Sequence, residues 1–241
     1  VQDFIPFADR VDTTGDRGDA NFKPLDSFRA TKATYYTPVF AGFQAGVSYA
    51  PEWDSNASGE GVEFNDDAGQ GRNVVELAAR YDVDLSGVKL GVSGQYNFGE
   101  GVDMGGFSSE NLQAWGLGAR LSYKGFTFGG GYTHDGNSFN NKAAVDDNVT
   151  SWNLGATYEQ GPWGVGVSYV AYDLDENGSV TGSLPSDGSA GKFSLLSLGA
   201  TYTVAPGLNV GADLGFYDRN RTAPATDTDG WVAVTEVRAA F

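Results

Sequence analysis

Apolar and polar residues alternate with a period of two along most of this chain. The pattern is cleanest where Val88, Leu90, Val92, Gly94, Tyr96 and Phe98 share one face and Lys89, Gly91, Ser93, Gln95 and Asn97 share the other. Leu208, Val210, Ala212, Leu214 and Phe216 separate in the same way from Asn209, Gly211, Asp213, Gly215 and Tyr217. Successive side chains of a strand point to opposite faces, so this period reads as β-structure. Alternation and flanking turn residues predict eleven strands, at 28–36, 43–49, 74–81, 88–98, 112–123, 126–134, 151–158, 163–172, 193–203, 208–217 and 231–241. Their connections alternate in length: 37–42, 82–87, 124–125, 159–162 and 204–207 are short, whereas 51–72, 99–110, 135–148, 173–191 and 218–230 are long.

The less apolar face is made mostly of Gly, Ser, Thr and Asn, which suits a wet lumen better than the bulky inner face of a soluble sandwich. Tyr81, Tyr123, Phe126, Tyr158, Trp163 and Tyr202 all fall beside short connections. Amphipathic rings are stable at headgroup depth, so such a row is expected of an interfacial girdle. The pattern therefore predicts a transmembrane antiparallel β-barrel, with its short turns periplasmic and its long loops outside.

Composition agrees and removes other classes. A strand repeat sustained through 241 residues argues for one domain over 1–241. No apolar run approaches the roughly 18 residues of a spanning helix, and a barrel crosses lipid with only every second side chain apolar. The formal net charge of −16 gives no reason to bind nucleic acid. With no cysteine, thiol catalysis, disulfides and Cys-based zinc sites are excluded. No basic-then-apolar leader opens the chain, so Val1 is read as a processed end or an internal cut.

The segment Ala33-Thr-Tyr-Tyr-Thr-Pro-Val-Phe-Ala-Gly-Phe-Gln-Ala-Gly-Val-Ser-Tyr49, and within it Tyr35-Tyr-Thr-Pro-Val-Phe-Ala-Gly-Phe43, resembles the strand, periplasmic turn and strand that follow the inward-folded third loop of general diffusion porins. The aromatic C-terminal strand ending at Phe241 and the long-short alternation of connections extend the resemblance over essentially the whole chain, with the porins of alphaproteobacteria nearest. The resemblance implies a sixteen-stranded barrel in the outer membrane, a homotrimer, contact with outer-membrane lipid and lipopolysaccharide, and passive passage of small hydrophilic solutes and ions. It also implies that 1–26 is the remainder of the constriction loop and that five strands precede Val1. An odd strand count points the same way, since bacterial single-chain barrels use even numbers.

The opening segment carries Asp3, Asp9, Asp12, Asp16, Asp19 and Asp26, interleaved with Arg10, Arg17, Lys23, Gly15, Gly18 and Pro24. As a constriction loop it would set carboxylates against wall cations, and alternation turns Lys32, Arg80, Lys89, Arg120 and Arg238 inward. Opposed rows of charge make a transverse field that orients dipolar solutes. The plainer reading has the Asp residues solvating a loop and the Arg residues pairing with Glu76 and Glu236.

No cofactor is required. Asp173-Leu-Asp175-Glu-Asn177-Gly178 copies the opening of a calcium loop, but Leu184 stands where the bidentate Glu belongs. Asp66 with Asp67, and Asp227 with Asp229, are further pairs of hard oxygen ligands, so a structural calcium is the one metal these residues suggest. Catalysis has little support: the single histidine, His134, ends a strand in the apolar register. Two rivals to the porin are an autotransporter translocator barrel, which needs a helix through its pore, and an outer-membrane barrel enzyme.

Overall fold

The computed structural model describes residues 24–27, 30–53, 71–103, 108–142, 149–174, 191–221 and 227–240. They form β1 (Ala33–Tyr36), β2 (Phe43–Trp53), β3 (Gly71–Leu85), β4 (Val88–Gly101), β5 (Leu112–Tyr123), β6 (Phe126–Gly136), β7 (Val149–Gln160), β8 (Trp163–Leu174), β9 (Gly191–Ala205), β10 (Leu208–Arg221) and β11 (Thr228–Ala239). All eleven lie in one sheet in chain order, each antiparallel to the next.

Every expected strand is present. Most run two to four residues further at their ends, because the hydrogen-bonded ladder continues past the apolar alternation. β3 reaches Leu85 rather than 81, with Asp82 opposite Gly91 and Asp84 opposite Lys89. β10 likewise continues to Arg221. β5 keeps its expected bounds and β11 ends at Ala239 rather than 241, but the largest departure is the first strand, where 28–36 is expected and β1 starts only at Ala33. The backbone before it turns away from the ladder, with the Ala30 N–H donating to the Ser27 carbonyl at 2.9 Å.

Tight turns fix the hairpin registers. Between β5 and β6, Lys124 and Gly125 both take positive φ, 47° and 84°, the pair that a two-residue turn matched to strand twist requires. The turn also docks on the next hairpin, since the Gly125 carbonyl accepts the Glu159 N–H at 2.9 Å.

Following the ladder across strands separates two faces. The outward face carries exposed Val47, Leu77, Val92, Leu117, Leu121, Phe128, Leu154, Val167 and Leu198. At its short-turn edge lie the expected girdle residues, Phe126 against Tyr158 at 4.3 Å and Trp163 against Tyr202 at 4.5 Å between ring centroids. A second aromatic band stands near the other edge, with Trp115 against Tyr132 and Trp152 against Tyr169 at 5.3 and 5.1 Å. Trp152 and Tyr158 lie on one strand about 20 Å apart at roughly 3.4 Å per residue, so the two bands frame an apolar belt of membrane scale.

The inward face is not uniformly polar. Its long-loop end carries the buried cluster of Leu25, Ala30, Ala50, Trp53, Val74, Leu112, Ala114 and Phe139. Phe139 packs its ring on Trp53 at 4.9 Å between centroids. The buried apolar core therefore lies where the chain before β1 folds onto the wall.

Candidate functional site: the inward wall and its docked segment

Five strands hold residues 24–27, and with them Lys32, against the inward wall. From β6, Asp135 Oδ1 accepts the Leu25 N–H at 2.7 Å, and from β4 the Asn97 amide donates to the Leu25 carbonyl at 2.8 Å. Trp53 Nε1, at the end of β2, donates to the Asp26 carbonyl at 2.6 Å. Glu76 of β3 does the most: its Oε1 accepts both the N–H and the hydroxyl of Ser27, each at 2.6 Å. Lys32 completes the group, donating to Ser27 Oγ at 2.7 Å and pairing with Glu76 Oε2 at 3.2 Å. Pro24 reaches β5, where its ring lies over Gly116. Each polar contact replaces water for a group that would otherwise be buried unpaired, which costs about 1–3 kcal/mol per group.

A Ser and a Lys within hydrogen-bond reach resemble a nucleophile and its base. Here the Ser27 hydroxyl is fully buried and donates to Glu76, and the Lys32 ammonium is neutralised by the same carboxylate. The arrangement ties backbone to wall.

Closer to the short turns, the same face carries the charged row that the sequence points to. Arg120 of β5 meets Asp82 of β3 at 3.1 Å, and Arg80 stands 4.0 Å from the same carboxylate. Lys89 of β4 is exposed and lies across the ladder from Asp84. Arg80, Lys89 and Arg120 thus come together on three adjacent strands. Arg238 does not join them: it is on β11, at the far edge of the sheet, and pairs with Glu236 at 3.5 Å as the plainer reading holds. Glu76, by contrast, pairs with Lys32 and with no Arg in that reading's sense. Lys32 belongs to the docked segment rather than to the cation row.

Asp3, Asp9, Asp12, Asp16 and Asp19 lie outside the described residues, as do Asp66, Asp67 and Asp175. Of the other expected calcium ligands, Asp173 is matched by Lys192 at 2.9 Å across the β8–β9 ladder, and Asp227 and Asp229 are exposed at the long-loop end. Among the described residues no group of three His, Cys, Asp or Glu is placed to hold a metal. His134 faces outward and lies against Trp115, 5.8 Å between centroids.

Asp82 and Asp135 each fall one residue past an expected strand, at the first position of a connection. Asp is depleted in strands, so by local propensity it marks a strand's end. The signal that finds Asp82 is the alternation itself, continued: Arg80, Asp82 and Asp84 inward, Tyr81, Val83 and Leu85 outward.

A polar inward face with a charged row, an apolar outward face and two aromatic bands describe a pore wall. The family model described as Gram-negative porin matches residues 2–222. The chain belongs to the Gram-negative porin family. Its place is accordingly the outer membrane. An uncharacterized protein of Rickettsia prowazekii is 22% identical over 269 residues, covering 88% of this porin chain and 57% of its own length. One of Rickettsia conorii is 23% identical over 264 residues with the same coverage. Among solved structures, the anion-selective porin of Comamonas acidovorans matches with a TM-score of 0.56 at 19% identity, covering 88% of this chain and 59% of that one. OmpF of Salmonella typhi matches at 0.58 and 17%, covering 86% and 61%. The outer membrane channel DcaP of Acinetobacter baumannii matches at 0.59 and 10%, covering 87% and 62%. These likenesses concern the barrel wall, and the chain spans less than two thirds of the length of each.

Proposed function

We propose that this chain forms the wall of a passive outer-membrane porin, a water-filled channel for small hydrophilic solutes and ions that carries out no reaction. The single observation behind the reading is the cation row of Arg80, Lys89 and Arg120 on the inward face, beneath Leu25, Ser27 and Lys32, which dock on that face. A row of fixed charge at the wall and a chain segment folded inward are the two parts of a charged constriction.

In this reading the carboxylates of Asp3, Asp9, Asp12, Asp16 and Asp19 form the negative side of the constriction and the wall row the positive side. The docked residues 24–27 set where the loop leaves the wall. The net charge of −16 leaves a weak preference for cations. The assembly is a homotrimer in contact with outer-membrane lipid and lipopolysaccharide.

Reversal potentials of the purified natural protein in planar bilayers test the whole reading. Stepwise insertion of ohmic channels is expected. Neutralising Asp9, Asp12 and Asp16 together shifts selectivity toward anions. Absence of conductance overturns the porin reading, and an unchanged reversal potential in the triple variant overturns the loop's part in it.

A further inference from the structure

On the outward face, between the two aromatic bands, the surface of β4 to β8 is interrupted by a groove of about 700 Å³. Small residues open it. Ala119 and Gly130 stand directly opposite each other on the β5–β6 ladder, and Ala156 faces Phe128 across the β6–β7 ladder. Leu121 and Phe128, themselves a cross-strand pair, wall the groove toward the short turns, and Leu154 with Tyr169, paired across β7 and β8, wall it farther along. A Cβ at Gly130 would stand 2.7 Å from the Leu154 side chain and 2.7 Å from the Asn153 carbonyl oxygen, so this floor position is held small by its neighbours. Every outward side chain along the groove is apolar except for the Tyr169 hydroxyl.

Its depth follows from β6. Phe126 belongs to the girdle at the short turn, and Phe128 and Gly130 lie two and four residues along the strand, which sets the groove about 7 to 14 Å from the girdle at roughly 3.4 Å per residue. A strand tilt of roughly 35–45° shortens this to about 5 to 11 Å of depth, within the nearer half of an apolar band about 25 Å tall. The groove belongs to the periplasmic leaflet. The same two strands carry a cation at headgroup level, because Lys124 is exposed in the β5–β6 turn and its ammonium lies 5.1 Å from the centroid of the outward Tyr123 ring. The ring holds that charge on the lipid side. Glu159, whose N–H binds the Gly125 carbonyl of this turn, takes the inward register of β7 with Ser151 and Asn153.

From the groove and the cation beside it we infer that the porin wall holds one phospholipid of the periplasmic leaflet, its phosphate on Lys124 and one acyl chain laid past Leu121 and Phe128 into the gap at Ala119, Gly130 and Ala156. Lipid tails are as apolar as the wall, so the gain is not burial from water but contact: a chain in a groove meets protein atoms on three sides, where a flat wall offers one. The phosphate fixes which lipid stays. Lipopolysaccharide lies in the opposite leaflet, where the outward Lys192 is already paired with Asp173 at 2.9 Å. The inference goes beyond the channel reading and holds whether or not the pore conducts, since it needs only a barrel wall in the outer membrane.

The test uses the natural full-length porin in mild detergent, titrated with phosphatidylglycerol and read by native mass spectrometry. One phospholipid per protomer is expected to bind well before any other. Lys124→Gln weakens that first binding about five-fold, the worth of one cation at an anionic headgroup. Diacylglycerol with the same chains binds the natural protein as weakly as phosphatidylglycerol binds the Lys124→Gln variant, and is indifferent to that substitution. Ala119→Phe with Ala156→Leu fills the groove and weakens binding about ten-fold, through the loss of on the order of ten carbon–carbon contacts. Ala200→Leu, on the outward face of β9 and outside the groove, leaves it unchanged. Equal binding by all these variants marks an ordinary lipid annulus and overturns the site. Displacement of the phospholipid by an equal concentration of lipopolysaccharide also overturns it, as does a change of oligomeric state in the filled variant with lipid retention unaltered. If the filled variant does not fold, as heat-induced mobility shifts in gels report, Lys124→Gln and the diacylglycerol comparison decide: a five-fold loss supports the site and no loss overturns it.

Discussion

Asp82 and Arg120, on strands that flank β4, meet at 3.1 Å over Gly91. The glycine makes the contact possible, because a Cβ there would stand 2.8 Å from Asp82 Oδ1 and 3.1 Å from Arg120 Nε. Both partners are more than two-fifths exposed, so the pair adds no more than about 1 kcal/mol to stability. Its consequence is electrostatic, since one carboxylate offsets two guanidinium groups in the lumen.

Asp82→Asn should therefore leave folding intact and move ion selectivity toward anions. Removing a unit charge about 10 Å from a passing ion in water changes its energy by roughly 0.4 kcal/mol, about two-fold in permeability ratio. Arg120→Ala should move the ratio the opposite way. Reversal potentials in a salt gradient read both, and shifts of the same sign in the two variants would contradict the assignment.

Glu76 concentrates the docking of Ser27 and Lys32 on one carboxylate. Glu76→Gln keeps an acceptor for Ser27 but loses the charge that Lys32 pairs with, whereas Glu76→Ala leaves the Ser27 N–H and hydroxyl and the Lys32 ammonium unserved. The alanine variant should cost about 1–3 kcal/mol and give a noisier open channel, with glutamine in between. Single-channel noise spectra and thermal unfolding check the order. Identical traces for natural protein and Glu76→Ala would show that the docked segment does not bear on the pore.

Phe139 is 1% exposed, packed at a tilt against Trp53, and its ring occupies the space where Gly71 lacks a side chain. Phe139→Ala should destabilise by about 3–5 kcal/mol through lost burial and the cavity left behind. Trp53→Phe should cost less, losing mainly the bond to the Asp26 carbonyl. Heat-induced mobility shifts in gels rank the variants, and a Phe139→Ala protein as heat-resistant as its parent would refute the packing argument.

Asp103 sits in the connection between β4 and β5, where the Ser109 N–H, then the Ser108 hydroxyl, and more weakly the charge of Lys142, hold its carboxyl below the ordinary value of 3.8. A depressed folded pKa means that the ordering of this loop is fully supported above 3.8 and is lost as pH falls through the lower folded value. Protection of this connection from a protease active in acid should persist at pH 4.5 and fade in more acid buffer. Asp103→Asn should lack that acid-dependent change, and retention of it would assign the transition elsewhere.

The sequence by itself determined the strands, their order and which face each residue takes. That information is local, since a period of two is written within any few neighbouring residues and an antiparallel chain with tight turns such as Lys124–Gly125 pairs each strand with the next. The lower aromatic band was legible for the same reason, being tied to turns. The upper band, six residues back along strands such as 152–158, was equally periodic but had no turn to mark it.

Only the tertiary structure decided what meets across the sheet. The Leu25 N–H and Asp135 are 110 residues apart in the chain, and nothing near either one specifies the other. The meeting of Arg120 with Asp82 needed both the true end of β3 and the gap at Gly91. The anchoring of Leu25, Asp26 and Ser27 by Asn97, Trp53 and Glu76 draws on three different strands, and no local pattern at 25–27 names those partners. None of these meetings is visible in the alternation, because a strand pattern records which way a side chain points and not whether anything across the sheet answers it.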